Sequence, residues 1–319
     1  MRFLKPLLLV AALALAVTAS LGACATQEIP YSTLEARYGL PASRHAELEP
    51  GLRVHYTDEG NPSGPILVLV HGFAASVHAW RPWIERLRED YRLIALDLPG
   101  HGLTEAPKGY VASTAGNVAL VDGLATRLGL ERFALAGNSM GGGVAWNYAL
   151  EHPSRLRGLI LVNAAGWPGE ADDGEGPPLV FGLLSNPVGR AILKSFNPRV
   201  FAGGGLRSAY LDESLVDVAL IDRYAELALA PGHRDVLLMA RNRPASPVTP
   251  DTFKAIATPT LVMAGGQDKI IPVDQQRSLA AAIPGAQLVE YADGGHVPME
   301  QLPDKSAHDL RAFLEGLAP

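Results

Sequence analysis

Short, nearly unbroken apolar runs recur along the chain at Arg53–Thr57, Ile66–Val70, Leu93–Leu96, Phe133–Ala136, Leu159–Val162, Thr260–Ala264 and Gln287–Tyr291. A segment such as Ile66-Leu67-Val68-Leu69-Val70 has no polar face to turn toward water, so as a strand it must be covered on both sides. Between most of these runs stand stretches whose apolar residues repeat at helical spacing: Val77–Glu89, Thr114–Leu128, Gly142–Glu151, Val273–Ala282 and Asp304–Leu317. Buried strands alternating with amphipathic helices predict an α/β chain with a mostly parallel central sheet flanked by helices.

The alternation stops between Trp167 and about Ala257. Pro and Gly cluster first, at Trp167-Pro168-Gly169 and from Gly174 to Pro178, and helix-like pieces follow at Leu179–Leu184, Asp212–Leu229 and His233–Arg241 without a strong strand. An insertion of roughly 90 residues is too long for a plain loop. Residues 167–257 are therefore expected to form a helical cap over one end of a sheet domain built from residues 45–166 and 258–319. Residues 24–44 read as a polar tether. The charge balance of 27 basic against 33 acidic residues, net −6 and without long runs of either sign, excludes a nucleic-acid partner.

Chemistry enters where the Phe133–Ala136 strand meets its helix. Gly137-Asn138-Ser139-Met140-Gly141 fits G-x-S-x-G on a strand-to-helix corner, a bend that presents a serine hydroxyl at the tip of a sheet. A serine that merely capped the helix would not need glycines on both sides. Such a hydroxyl needs a base, and the base needs a carboxylate to fix its tautomer. Leu261–Asp268 runs out of a buried strand into a glycine turn ending on Asp268, and Gln287–His296 repeats the arrangement with His296 at its tip. All three residues then leave the same edge of a parallel sheet. Asp97 and Asp293 are weaker candidates for the acid, being turn residues, and Asn163-Ala164-Ala165 offers no carboxylate after its strand. Gly100-His101-Gly102 begins like a dinucleotide loop but has Glu105 where the third glycine belongs. No P-loop and no H-E-x-x-H spacing occurs, so neither a cofactor nor a metal is expected.

With "LVLVHGFAAS", "LDLPGHG", "GGQDKIIP" and "GGHVPMEQLP" added to the serine motif, the chain resembles the capped α/β-hydrolase superfamily, in its serine-hydrolase branch, from about Arg53 to Leu317. The resemblance implies a cap inserted after the sixth strand and a catalytic triad of Ser139, Asp268 and His296. It also implies an oxyanion hole from the backbone N–H groups of Phe73 and Met140, with His71 structural. Hydrolysis of a small or medium apolar ester is the activity expected. Carbon–carbon bond hydrolysis of ring-cleavage products and cofactor-free perhydrolysis use the same triad, and a ligand receptor with a slow triad is an alternative of another class.

The N-terminus carries a separate message. Arg2 and Lys5 precede an apolar stretch, Leu7–Val17, and then Leu21-Gly22-Ala23-Cys24. This is similar to a bacterial lipoprotein signal: residues 1–23 are removed and Cys24, the only cysteine of the chain, is lipidated and holds the protein to a membrane of the cell envelope. An ordinary secretory signal and an uncleaved anchor are the alternatives.

Overall fold

The computed structural model describes residues 27–168, 187–239 and 248–317. In chain order the core contains α1 (Tyr31–Tyr38), β1 (Ser43–Glu49), β2 (Leu52–Gly60), β3 (Ile66–Val70), α2 (Arg81–Leu87), β4 (Arg92–Leu96), α3 (Thr114–Arg127), β5 (Phe133–Asn138), α4 (Met140–Glu151) and β6 (Leu156–Val162). The cap helices α5 (Pro187–Ser195), α6 (Arg199–Ala209), α7 (Val218–Leu227) and α8 (His233–Met239) come next. The core then resumes with α9 (Pro250–Phe253), β7 (Thr260–Gly265), α10 (Val273–Ala282), β8 (Gln287–Tyr291), α11 (Pro298–Gln301) and α12 (Pro303–Glu315).

The strands form one eight-stranded sheet in the order β1-β2-β4-β3-β5-β6-β7-β8. From β4 to β8 every neighbouring pair is parallel, while β2 runs antiparallel to both β1 and β4. Side chains of a strand alternate between faces, and β3 divides accordingly. Leu67 and Leu69 join Trp80, Trp83 and Ile84 before and on α2 and Leu310 and Phe313 of α12. Val68 and Val70 join Val118, Val121 and Leu124 of α3 and Val144, Ala145 and Tyr148 of α4. Each fully buried side chain of this kind stabilises the fold by about 1.5–3 kcal/mol, which is why the strands need helices on both sides.

The predicted bounds of β3, β8 and α10 match those observed. The tether over residues 24–44 does not: from Ile29 the chain is fastened to the protein. Ile29 N–H donates to Leu229 O (2.9 Å), Leu34 of α1 is fully buried, and the Tyr31 hydroxyl lies 2.9 Å from His233 Nε2. Strand β1 follows, with Ala46 alone of its residues buried, so its alternation is nearly invisible in the sequence and backbone pairing with β2 defines it.

In the cap, the stretch Leu179–Leu184 lies outside the described residues. The single helix expected over Asp212–Leu229 is divided, because the Asp217 side chain accepts from Leu220 N–H (2.7 Å) and starts α7 afresh. Helices α5 and α6 were not expected; in α6 the run Gly203-Gly204-Gly205 weakens the periodicity. The cap's two ends meet where Trp167 stacks on Phe253 at 5.4 Å. Leu206, Ala209, Tyr210 and Leu220 join it to the apolar cluster on the α2 and α12 face of the sheet.

Candidate active site

Ser139 stands between β5 and α4 with φ 53° and ψ −119°. A side-chain-bearing residue is rarely held there, and the strain persists only because the surroundings fix it. Two glycines make the corner possible: a Cβ on Gly137 would lie 2.1 Å from Gly141 O, and one on Gly141 would lie 2.1 Å from Val70 O. Ser139 N–H donates to Val162 O (3.0 Å), and Ser139 O accepts from Gly143 and Ala165 N–H (3.1 and 3.0 Å). The corner is thereby tied to β6 on one side and to its own helix on the other.

The loops after β7 and β8 bring Asp268 and His296 together. Asp268 Oδ2 lies 2.7 Å from His296 Nδ1, and both side chains are buried. Asp268 Oδ1 accepts from the N–H groups of Ile270 and Ile271 (2.7 and 3.0 Å), so the carboxylate is held at both oxygens. An ionised carboxylate only accepts, which puts the imidazole proton on Nδ1 and leaves Nε2 with a lone pair. Asn138, next to Ser139, donates from Nδ2 to His296 O (3.1 Å) and so fastens the histidine loop to the serine corner.

Phe73 and Met140 both belong to segments that meet at the Ser139 corner. The His71-Gly72-Phe73 turn after β3 is packed against the corner so tightly that a Cβ on Gly72 would stand 3.1 Å from Ser139 Cβ. Met140 is the first residue of α4. Both residues line one small cavity, partly open to solvent, together with Pro99, His101, Ala112, Asn117, Val236 and Leu237. His71 is wholly buried, donates from Nδ1 to Gly72 O (2.7 Å) and accepts at Nε2 from Leu98 N–H (3.0 Å). Burial pushes its pKa down, so it is a neutral strut for the turn.

Asp97 is occupied elsewhere. Its Oδ2 is 2.6 Å from His55 Nδ1 and its Oδ1 accepts from Val77 N–H (2.7 Å). Asp293 is exposed, in the turn before His296. Among the described residues no group of His, Cys, Asp or Glu is arranged to hold a metal ion.

Several residues that hold the site were not singled out by the sequence. Asn163, dismissed there for lacking a carboxylate, has φ 42°, donates to Gly295 O (2.9 Å) and accepts from Gly265 N–H (2.9 Å), joining the acid and histidine loops. His296 N–H donates to Ala209 O (2.8 Å) at the end of α6, so the cap touches the histidine loop directly. One turn further, Glu300 has its Oε1 shut off from solvent with no partner among the described residues. Burial pushes its carboxyl up to about 7, against the lowering effects of the Tyr210 hydroxyl bonded to it and of Arg223. These contacts join residues distant in sequence, and no local motif announces them.

The alpha/beta hydrolase family model matches residues 67–309. The chain is 30% identical over 255 residues to a 2-hydroxy-6-oxononadienedioate/2-hydroxy-6-oxononatrienedioate hydrolase of Comamonas testosteroni, covering 76% of this chain and 85% of that protein. Its fold is similar to that of a thermophilic esterase from Thermogutta terrifontis (TM-score 0.68, 27% identity, 83% of this chain and 93% of that one). It is also similar to a membrane phospholipase A described as a bacterial virulence factor (TM-score 0.70, 25% identity, 99% and 98%).

Proposed function

The chain belongs to the alpha/beta hydrolase family, and from that premise we propose that it is a serine esterase acting on small or medium, largely apolar esters. The observation that carries this reading is the Asp268–His296 pair, 2.7 Å apart, with the His296 loop fastened by Asn138 to the strained Ser139 corner. Ser139 Oγ attacks the ester carbonyl while His296 Nε2 takes its proton. Asp268 keeps the proton on Nδ1 and stabilises the imidazolium that forms. The backbone N–H groups of Phe73 and Met140 receive the developing oxyanion, and removing one such donor typically costs about 2.7–4 kcal/mol of barrier lowering. His296 then returns the proton to the departing alkoxide, which leaves as the alcohol. Water attacks the acyl-serine with His296 again as base, and the acid is released with Ser139 restored.

The cavity beside the serine corner is small and lined mostly by apolar side chains, which supports a small, largely apolar substrate. Among the described residues that line it there is neither lysine nor arginine. That favours an uncharged ester over a carboxylate-bearing one. A carbon–carbon bond hydrolase is the second reading, favoured by the 30% identity to the Comamonas testosteroni enzyme, whose named substrates are dioates. Turnover of nitrophenyl butanoate, lost in Ser139→Ala, supports the esterase; turnover of a ring-cleavage dioate with none of simple esters supports the alternative.

The location proposed is the bacterial cell envelope, through a lipid on Cys24. The similar membrane phospholipase A, aligned with 99% of this chain, supports it. Gln27 is three residues beyond Cys24, a span of about 11 Å at most, and Ile29 is already bonded to Leu229 at the end of α7. A lipid there holds the cap end of the protein close to the membrane. Metabolic labelling with a fatty acid is expected to tag the wild type and not Cys24→Ser; an unlabelled wild type contradicts the anchor.

A further inference from the structure

The cavity beside the serine corner holds two polar side chains that ester hydrolysis does not use. His101, in the turn after β4, is 6% exposed, and Asn117, four residues into α3, is 2% exposed. His101 donates from Nδ1 to Pro99 O (3.1 Å), which leaves Nε2 a pure acceptor, and that atom has no hydrogen-bond partner among the described residues. Asn117 Oδ1 likewise has none. Both residues line the cavity with Phe73 and Met140, and the other described residues of its wall are apolar: Pro99, Ala112, Val236 and Leu237.

Buried acceptors without partners are costly and are uncommon in folded proteins. Two on one cavity next to the serine corner, on different elements, mark a place where a ligand can supply the missing bonds. The His101 ring is kept in position by His71 at 4.9 Å and Phe73 at 5.9 Å between ring centres. Burial, reinforced by His71, pushes its pKa down to about 3, so over the neutral range Nε2 offers a lone pair and no charge. A carboxylate finds no donor in that atom.

Resting on the esterase reading of the same site, we propose that His101 and Asn117 form a hydroxyl-recognition subsite and that the substrate is an uncharged ester carrying a hydroxyl in its acyl or alcohol part. The hydroxyl donates its proton to His101 Nε2. It accepts in turn from Asn117 with the side-chain amide turned over, an exchange of O and N that leaves the shape of the side chain unchanged. The remaining apolar walls hold the carbon skeleton while the ester carbonyl meets Ser139.

Two isosteric pairs test this on the full chain. They are nitrophenyl 3-hydroxybutanoate against nitrophenyl 3-methylbutanoate for the acyl side, and 2-hydroxyethyl butanoate against propyl butanoate for the alcohol side. In at least one pair kcat/KM is expected to favour the hydroxylated ester by about tenfold or more, since a site built to bond a hydroxyl rejects the analogue lacking it. Asn117→Leu and His101→Phe should each bring that ratio to about one. The ratio compares two substrates on one protein, so a variant that folds poorly lowers both rates and leaves it unmoved. No preference in either pair, or a preference that survives both substitutions, overturns the subsite while leaving the esterase intact. If no ester is turned over, the esterase reading fails and the subsite falls with it.

Discussion

Ser43, His55 and Asp97 repeat, on the antiparallel edge of the sheet, the residue types of Ser139, His296 and Asp268. His55 Nδ1 lies 2.6 Å from Asp97 Oδ2 and His55 Nε2 2.8 Å from Ser43 Oγ, as short as the 2.7 Å between His296 and Asp268. The surroundings differ. Ser43 begins β1 without the positive φ that Ser139 carries, and its Oγ is already an acceptor for Leu40 N–H (2.9 Å). Asp97 also accepts from Val77 and Leu103 N–H (2.7 and 2.9 Å), so this array ties β1, β2 and the loops after β3 and β4 into one structure. Ser139 instead sits at a strained corner, packed against the His71-Gly72-Phe73 turn and next to a cavity. Backbone conformation and surroundings, more than the identity of three residues, distinguish the two arrays, and on them rests the proposal that Ser139 is the nucleophile and Ser43 part of a staple.

Exchanging substitutions between the two arrays sharpens the contrast. Ser139→Ala should lower kcat/KM by about 10⁴-fold or more, whereas Ser43→Ala should leave it within about twofold, both measured with a soluble nitrophenyl ester. Asp268→Asn should lower kcat by about 10⁴ through loss of the histidine's orientation, with little change in thermal stability. Asp97→Asn should do the reverse. Removing one partner of a buried pair costs about 3–5 kcal/mol, a fall of roughly 10 °C in the midpoint of thermal unfolding for a chain of this size. Ester turnover at low temperature should survive it.

The pH dependence of the staple has a definite sign. Burial by itself would raise the Asp97 carboxyl, but the charge and hydrogen bond of His55, with His71 and the Leu103 N–H, outweigh it and hold the carboxyl below its ordinary 3.8. A depressed carboxyl contributes stability that is whole above that ordinary value and is lost as pH falls further. Acid unfolding of the wild type should therefore set in below about pH 4 and be less steep in Asp97→Asn, as followed by circular dichroism.

Glu300 gives the smallest effect and the opposite sign. Its carboxyl is raised from 4.5 to about 7, so its contribution is whole below pH 4.5 and drains away as pH rises through about 7. The groups facing it are Tyr210 at the end of α6 and Arg223 and Tyr224 of α7. Unfolding scans at about pH 5 and pH 8 should show a loss of stability in the wild type that Glu300→Gln lacks. An equal loss in the variant would detach Glu300 from the cap contact.

The parallel half of the sheet was legible because its strands are apolar on both faces and announce themselves without any partner. Ile66–Val70 and Gln287–Tyr291 were bounded to the residue, and the glycines around Ser139 fixed the corner. Strand β1 was hidden, because an edge strand exposed on most of its residues has no apolar period. That Asp268 and His296 would meet was legible from strand-end motifs, but the contacts that hold them were not. Asn138, Asn163 and Glu300 act through partners distant in sequence, and His101 and Asn117 become conspicuous only when one cavity is seen to be lined by two acceptors that lack partners among the described residues.

A fluorophosphonate that phosphonylates activated serines distinguishes the two arrays in one measurement. After reaction of the folded chain and digestion, mass spectrometry should find the adduct on the peptide containing Ser139, none on that containing Ser43, and none anywhere in Ser139→Ala. An adduct on Ser43, or labelling that persists in Ser139→Ala, would contradict the assignment of Ser139 as the nucleophile.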